Sequence, residues 1–461
     1  MKGKLEYMKK LISTPLILFV LSLILRLIFW SRFPPGFTAD EATMGYDAYS
    51  LLKTGKDQFG NPWPLSFRSF GDYRPPLYIW SVMPFVKLWG LSPLAVRLPS
   101  MIVGALEVLM IYFLGKELIS KRAGSAAAIF LALSPWSLLQ TRFAQEANLS
   151  TFCIFVGVLL AIYWFKRKKS LYLVLSSMAF GLSFYAYHNA RLTVPLIILG
   201  GAVILWRSTR LGKKEVKQII LAGIMGILLL LPLLGYLWKS PEVIFRRASG
   251  QSVFADSGIK SALWRDIVTM PLGYPIWLSR LQHNKPLYYG RVIIRGYLSH
   301  FDPRFLFFSG DPHERFRTPY SGLLNWSLLL FIPIGIFQFF RRDQSRRFIL
   351  WWLLVSPVVA SLSTIVPNSQ HAQDMMIPLH LIVGAGAAKV VDFRRIWQLA
   401  ILAIFFVSFG QFIYGYTRII PNDTRYLQAW HYYGSLFEKL CPFYGQNIVF
   451  LGGQYYINLA F

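Results

Sequence analysis

Stretches of roughly twenty apolar residues, long enough to cross a hydrocarbon layer, recur along this chain and constrain its fold more than any other feature. They fall at 11–30, 94–115, 123–140, 149–165, 171–187, 192–206, 218–238, 321–340, 348–366, 376–391 and 396–416. In lipid every backbone N–H and C=O must be satisfied inside its own segment, so such runs are helices. The expected fold is an all-α polytopic membrane protein of about eleven transmembrane helices. A hydrophobic fraction of 55% over 461 residues and a mean hydropathy of +0.44 exclude a water-soluble globule of this length. The first run follows a basic segment, residues 1–10, and no small-residue cleavage site comes after it, so it reads as a retained anchor.

The formal charge of +27 does not mark a nucleic-acid partner, because the cations sit in short knots between apolar runs rather than on one solvated face. With Met1 in the cytoplasm, every strong knot lands on one side, as the positive-inside rule requires. The knots are Lys116, Lys121 and Arg122; Lys166, Arg167, Lys168 and Lys169; Arg207, Arg210, Lys213, Lys214 and Lys217; Arg341, Arg342, Arg346 and Arg347; and Lys389, Arg394 and Arg395. Segment 77–91, interrupted by Pro84 and Lys87, would reverse that parity as a full span and is read as a juxtamembrane helix at the interface. A transmembrane domain, 1–416, then carries long external loops at 31–92 and 239–320, and 417–461 is a short external C-terminal segment. The expected setting is a multi-pass protein of the cell membrane whose functional surface is extracytoplasmic. Cys153 and Cys441 offer no disulfide framework, and no inverted repeat of the transporter kind is visible.

After the first span, Pro34-Pro35-Gly36 ends the helix, and Thr38 can cap a new one beginning at Ala39. Thr38 and Glu41 have capping-box spacing and Asp40 suits the first turn, which accounts for both acids structurally. The chemical reading is that a carboxylate held at the mouth of a membrane cavity takes a proton from an attacking hydroxyl. Both readings hold together, since a cap also fixes a carboxylate in place. Asp47, two turns further on, reads as solvated.

Arg74, made extended by Pro75, can bind a phosphodiester through its fork or meet anionic headgroups. Arg142 and Glu146 are spaced to pair on a helix, yet they fall at the same membrane face as Asp40. Glu146 is therefore a candidate to orient Arg142, or to hold a divalent metal ion beside Asp40 or Glu41. His188 reads as a structural hydrogen-bonding group, with Arg191 close behind it. The stretch 300–317, turning at Gly310-Asp311-Pro312, reads as an ordered cover that supplies Arg315 or Arg317 to phosphate, or as scaffolding.

In this order the motifs resemble the C-type membrane glycosyltransferases, specifically the polyprenyl-phosphate-mannose protein mannosyltransferases and their bacterial aminoarabinose transferase relatives. The resemblance rests on Asp40-Glu41, Arg74-Pro75-Pro76-Leu77-Tyr78, Arg97-Leu98-Pro99, the segment 142–146, and 305–315 with Gly310-Asp311. It implies the C-type glycosyltransferase fold, a polyprenyl-phosphate-linked sugar donor, an external active site and inversion at the anomeric carbon. Carried onto this chain, it implies Asp40 as general base and Glu41 as a supporting or metal-side carboxylate. Arg74 becomes a donor-phosphate ligand with Arg142 and Arg315, and Glu146 the acidic residue of the second loop; a metal ion would lie between Asp40 and Glu146. The acceptor is a protein, a glycan or a lipid. Relatives tend to show an arginine where this chain has Asp374, which argues against a phosphate contact from that loop. The competing reading is a polytopic transporter or lipid-linked sugar flippase, although such proteins place ionisable groups deep in their spans. Arg26 lies near an outer end from which it can snorkel. An oligosaccharyltransferase-like member would call for a large soluble C-terminal domain, for which the short segment after an apparent terminal strand leaves little room.

Overall fold

The computed structural model describes residues 2–208, 211–269, 275–340 and 344–429. Arg210, Arg341, Arg342, Cys441 and the strand-like stretch near the C-terminus lie outside the described residues.

The chain is mostly helical. Helix α1 (Lys2–Leu27) leads into α2 (Ala39–Thr54), a hairpin of β1 (Phe67–Ser69) and β2 (Asp72–Arg74), and α3 (Leu77–Trp89). Next come α4 (Pro93–Leu118), α5 (Lys121–Ala132), α6 (Pro135–Thr141), α7 (Glu146–Arg167), α8 (Ser170–Ala186), α9 (Ala190–Ser208) and α10 (Lys213–Lys239). Among its described residues the second long loop carries α11 (Glu242–Gln251), α12 (Ser257–Val268), α13 (Ile276–Gln282) and α14 (Lys285–Ser299). Helices α15 (Ile332–Phe340), α16 (Gln344–Ala360), α17 (Met376–Val390), α18 (Arg395–Tyr414) and α19 (Thr424–Ala429) follow.

Four helical segments among the described residues are long and apolar enough to cross a bilayer: α4, α7, α10 and the Arg395–Asn422 segment that begins with α18. The bent pair α5 and α6 adds a fifth, so the count falls short of the expected eleven. Backbone breaks explain much of the difference. Run 123–140 bends by 55° between α5 and α6, where Pro135 restarts the helix. Run 321–340 divides into a 3₁₀ turn, Trp326–Leu330, and the short α15. Apolar helices of 10–17 residues occupy much of 14–27, 77–89, 170–186, 190–204 and 347–360.

The largest core joins α4, α5, α7 and α17 with the residues around 305 and 324. Helix α17 meets α5 at Gly384, where a Cβ would fall 2.5 Å from the Ala123 carbonyl and 2.8 Å from the Ala127 Cβ. Lipid-embedded helices gain little from apolar burial against one another, so close backbone approach supplies their dispersion energy. Gly384→Leu should force the pair apart and destabilise the fold by about 1–3 kcal/mol. A thermal unfolding midpoint matching that of the parent protein in detergent would show that α17 is not held this way.

Arg26 does not snorkel. It is fully buried, and its guanidinium donates to Thr141 Oγ1 at 2.8 Å, Ser137 Oγ at 2.6 Å and the Ser22 carbonyl at 3.1 Å, as well as to Ser22 Oγ. These partners tie α1 to α6, because a buried guanidinium must have its donors satisfied.

Candidate active site

Thr38 opens α2 with the expected box: Glu41 N–H donates to Thr38 Oγ1 at 3.2 Å, and Thr38 N–H donates to Glu41 Oε2 at 3.0 Å. Glu41 is fully buried, and its oxygens also accept from Arg97 Nε at 2.7 Å, Arg97 Nη2 at 2.9 Å and Ala144 N–H at 3.0 Å. Glu41 thus joins α2 to α4 and to the loop before α7.

Its neighbour Asp40 faces a cavity of about 290 Å³ instead. One Asp40 oxygen meets Arg74 Nη2, and the other lies 3.1 Å from Arg315 Nη1. Arg74 Nη1 donates to Glu146 Oε1 at 3.1 Å. The structure therefore brings together Asp40, Arg74, Glu146 and Arg315, each contributed by a different part of the chain.

Local chemistry places each of them. Arg74 ends β2, with Pro75 stopping the strand. Glu146 is the first residue of α7, where the helix dipole favours a negative charge. Arg315 sits in a 3₁₀ turn, Glu314–Phe316, and donates through Nε to the Ala429 carbonyl at 3.2 Å. That turn is fixed through buried Asp311, which accepts from His313 N–H at 2.8 Å and Ser369 N–H at 2.6 Å. Burial lowers the pKa of the Arg74 guanidinium, but the charges of Asp40, Glu146 and Asp72 outweigh it and the net shift is upward. Arg74 is a permanent cation. The Asp40 side chain, at 38% exposure, is far more open to the cavity than Glu146 at 9%.

Other candidates lie elsewhere. Arg142 does not line the cavity; its Nη2 contacts the Ile28 carbonyl at 2.5 Å and its guanidinium stacks 5.5 Å from the Tyr416 ring centre. Arg142 and Glu146 share no helix, because α6 ends at Thr141 and α7 begins at Glu146, so the expected one-turn pair does not form. Arg317 turns away to Tyr426 OH at 3.2 Å. Asp47 is buried rather than solvated: Gln58 donates to it through its N–H at 3.0 Å and its side chain at 3.1 Å, and burial pushes its carboxyl up to about 7. Asp374 is buried against Thr151 Oγ1 at 2.7 Å.

The cavity also contains residues that the sequence did not mark as site residues: Tyr73, Gln145, Tyr187, His188, Gln370 and His371. His188 Nε2 lies 2.9 Å from the Tyr73 carbonyl; a carbonyl only accepts, so Nε2 carries the proton and braces the hairpin. His188 had a signal in its loop position. Gln370 and His371 belong to the loop that was set aside as a phosphate contact because of Asp374, and they line the cavity through the connection between α16 and α17.

A divalent ion between Asp40 and Glu146 fits these residues poorly, because Arg74 lies between the two carboxylates and bonds both. Among the described residues no group of three or more His, Cys, Asp or Glu side chains gathers as a ligand set.

The arrangement of helices, several of them long and apolar enough to cross a membrane, is similar to that of solved oligosaccharyltransferase and ArnT structures. More particularly, residues 73–236 match the family model described as dolichyl-phosphate-mannose-protein mannosyltransferase, a stretch that includes Arg74, Arg97, Arg142 and Glu146. No curated protein matches the sequence. Among solved structures, the Archaeoglobus fulgidus oligosaccharyltransferase tethered to an acceptor peptide is similar at a TM-score of 0.56 and 14% identity, with 95% of this chain and 57% of that one covered. ArnT from Cupriavidus metallidurans in its apo state gives 0.51 and 12%, covering 87% and 62%. Bound to undecaprenyl phosphate, ArnT gives 0.52 and 12%, covering 96% and 81%. The chain spans a little over half the length of the archaeal enzyme it resembles.

Proposed function

We propose that this protein is an inverting glycosyltransferase that moves a sugar from a polyprenyl-phosphate donor to an acceptor at the extracytoplasmic face of the membrane. The observation that carries this reading is the reach of Arg74 and Arg315 to the two oxygens of Asp40 inside one cavity. Two guanidiniums suit a phosphodiester, and a donor phosphate seated on them takes over the bonds that Asp40 makes. The carboxylate is then available to an acceptor hydroxyl. As that oxygen attacks the anomeric carbon, its proton passes to Asp40, while the bond from C1 to the phosphate oxygen breaks on the opposite face. The electron pair leaves with the phosphate, and its charge rests on Arg74 and Arg315. A phosphate leaves without a strong acid, so one base and two cations suffice.

In this reading Glu41 and Arg142 are positioning residues, while Glu146 orients Arg74. A transporter would route its cargo past Arg26 and Glu107 within the helices, but both are fully buried and Arg26 is taken up by Ser22, Ser137 and Thr141. The test is donor binding by Arg74→Ala. Loss of a charge-assisted contact of about 1.5–3 kcal/mol should weaken affinity for a polyprenyl phosphate roughly 10- to 100-fold, measured by titration in detergent. Unchanged affinity would remove Arg74 from the phosphate site.

A further inference from the structure

The hairpin that delivers Arg74 has an unusual turn. Its register pairs Ser69 with Asp72, leaving Phe70-Gly71 as a two-residue loop with φ of 47° and 84°. Positive φ at both positions is the signature of a type I′ turn, which favours Asn-Gly, and a bulky residue at the first position is a conformational outlier. Phe67, in the adjoining strand, is fully buried, whereas Phe70 is 41% exposed and lines the cavity with Asp40, Tyr73 and Arg74. Neither backbone preference nor apolar burial accounts for a phenylalanine here. Strained residues held in a well-anchored frame at the rim of a site point to a ligand.

We propose that Phe70 is a platform on which a sugar ring stacks its C–H face, resting on the glycosyl-transfer reading above. A pyranose carries hydroxyls around its edge and a patch of polarised C–H bonds on its face, and the negative face of an aromatic ring complements that patch. Polar residues of the lining, among them Glu146, His188, Gln370 and His371, can then meet the hydroxyl edge. The sugar belongs to the donor or to a glycan acceptor, since both rings meet at the transferred carbon.

The decisive variant is Phe70→Asn, which suits the turn and removes the ring. Its thermal midpoint should equal or exceed that of the parent, so a loss of binding is not a loss of fold. The probes are bare polyprenyl phosphate and polyprenyl-phosphate mannose, glucose and aminoarabinose, with acceptor KM measured wherever transfer is seen. Stacking on the donor sugar predicts about a three- to ten-fold weaker affinity for the glycosylated lipid that the parent prefers, with bare lipid unchanged and Phe70→Tyr restoring the difference. Stacking on an acceptor glycan predicts the same factor in acceptor KM, with both lipid affinities unchanged. Equal losses for bare and glycosylated lipid, or no change in any constant, overturn the platform. A parent protein that binds none of the lipids overturns the glycosyl-transfer reading itself, and the platform with it.

Discussion

Asp40→Asn should lower transfer by about 10²–10⁴-fold, the usual contribution of a general base, while the protein still inserts, folds and binds a polyprenyl phosphate. The amide keeps the shape of the side chain but cannot take a proton. Neither the helix cap nor the buried ion pair is disturbed, because both belong to Thr38, Glu41 and Arg97. Arg74 keeps its bond to Glu146 and Arg315 its bond to the Ala429 carbonyl, so both cations remain at the cavity. The measurement is single-turnover transfer with the purified variant alongside its lipid affinity. Full activity would reject Asp40 as the base, and a parallel collapse of lipid binding would assign it to positioning.

The largest structural effect is expected at Arg97. This side chain and Glu41 form a buried ion pair, with Arg97 2% exposed and Glu41 fully enclosed. Arg97→Ala leaves a carboxylate with no counter-ion in a site that water does not reach, at a cost of about 3–5 kcal/mol. Combining Arg97→Leu with Glu41→Gln removes the charge along with the pair while an amide oxygen remains to accept from a backbone N–H of Thr38 or Ala144, and should cost less. Unfolding midpoints of the two variants in detergent decide the matter. If Arg97→Ala melts with the parent, or if the double variant is the weaker of the two, the pair does not hold α2 against α4.

Much of the site was legible because local chemistry marked it. Thr38 and Glu41 announced a cap, which put the adjacent Asp40 at a helix start, and Pro75 fixed the backbone of Arg74. Glu146 and Arg315 were legible through topology and resemblance rather than spacing, since nothing in the sequence brings residue 315 beside residue 40. Arg142 misled because its distance from Glu146 fits one helical turn, while the chain breaks between them and turns its guanidinium to the Ile28 carbonyl. Long apolar runs such as α4, α7 and α10 were read correctly as helices, since a backbone in lipid must satisfy its N–H and C=O groups within its own segment. Run 321–340 was not, for apolar composition does not reveal where a backbone tightens into a 3₁₀ turn at Trp326–Leu330.

The bond from Ser369 N–H to Asp311 has a mechanical consequence. It fastens the turn bearing Arg315 to the loop bearing Gln370 and His371, so these three residues form one wall of the cavity. The facing wall is the hairpin, and Asp40 spans the gap with one arginine on either side. An anion that takes both arginines bridges the two walls in the carboxylate's place, while the bonds of Arg74 to Glu146 and of His188 to the Tyr73 carbonyl keep the hairpin where it stands.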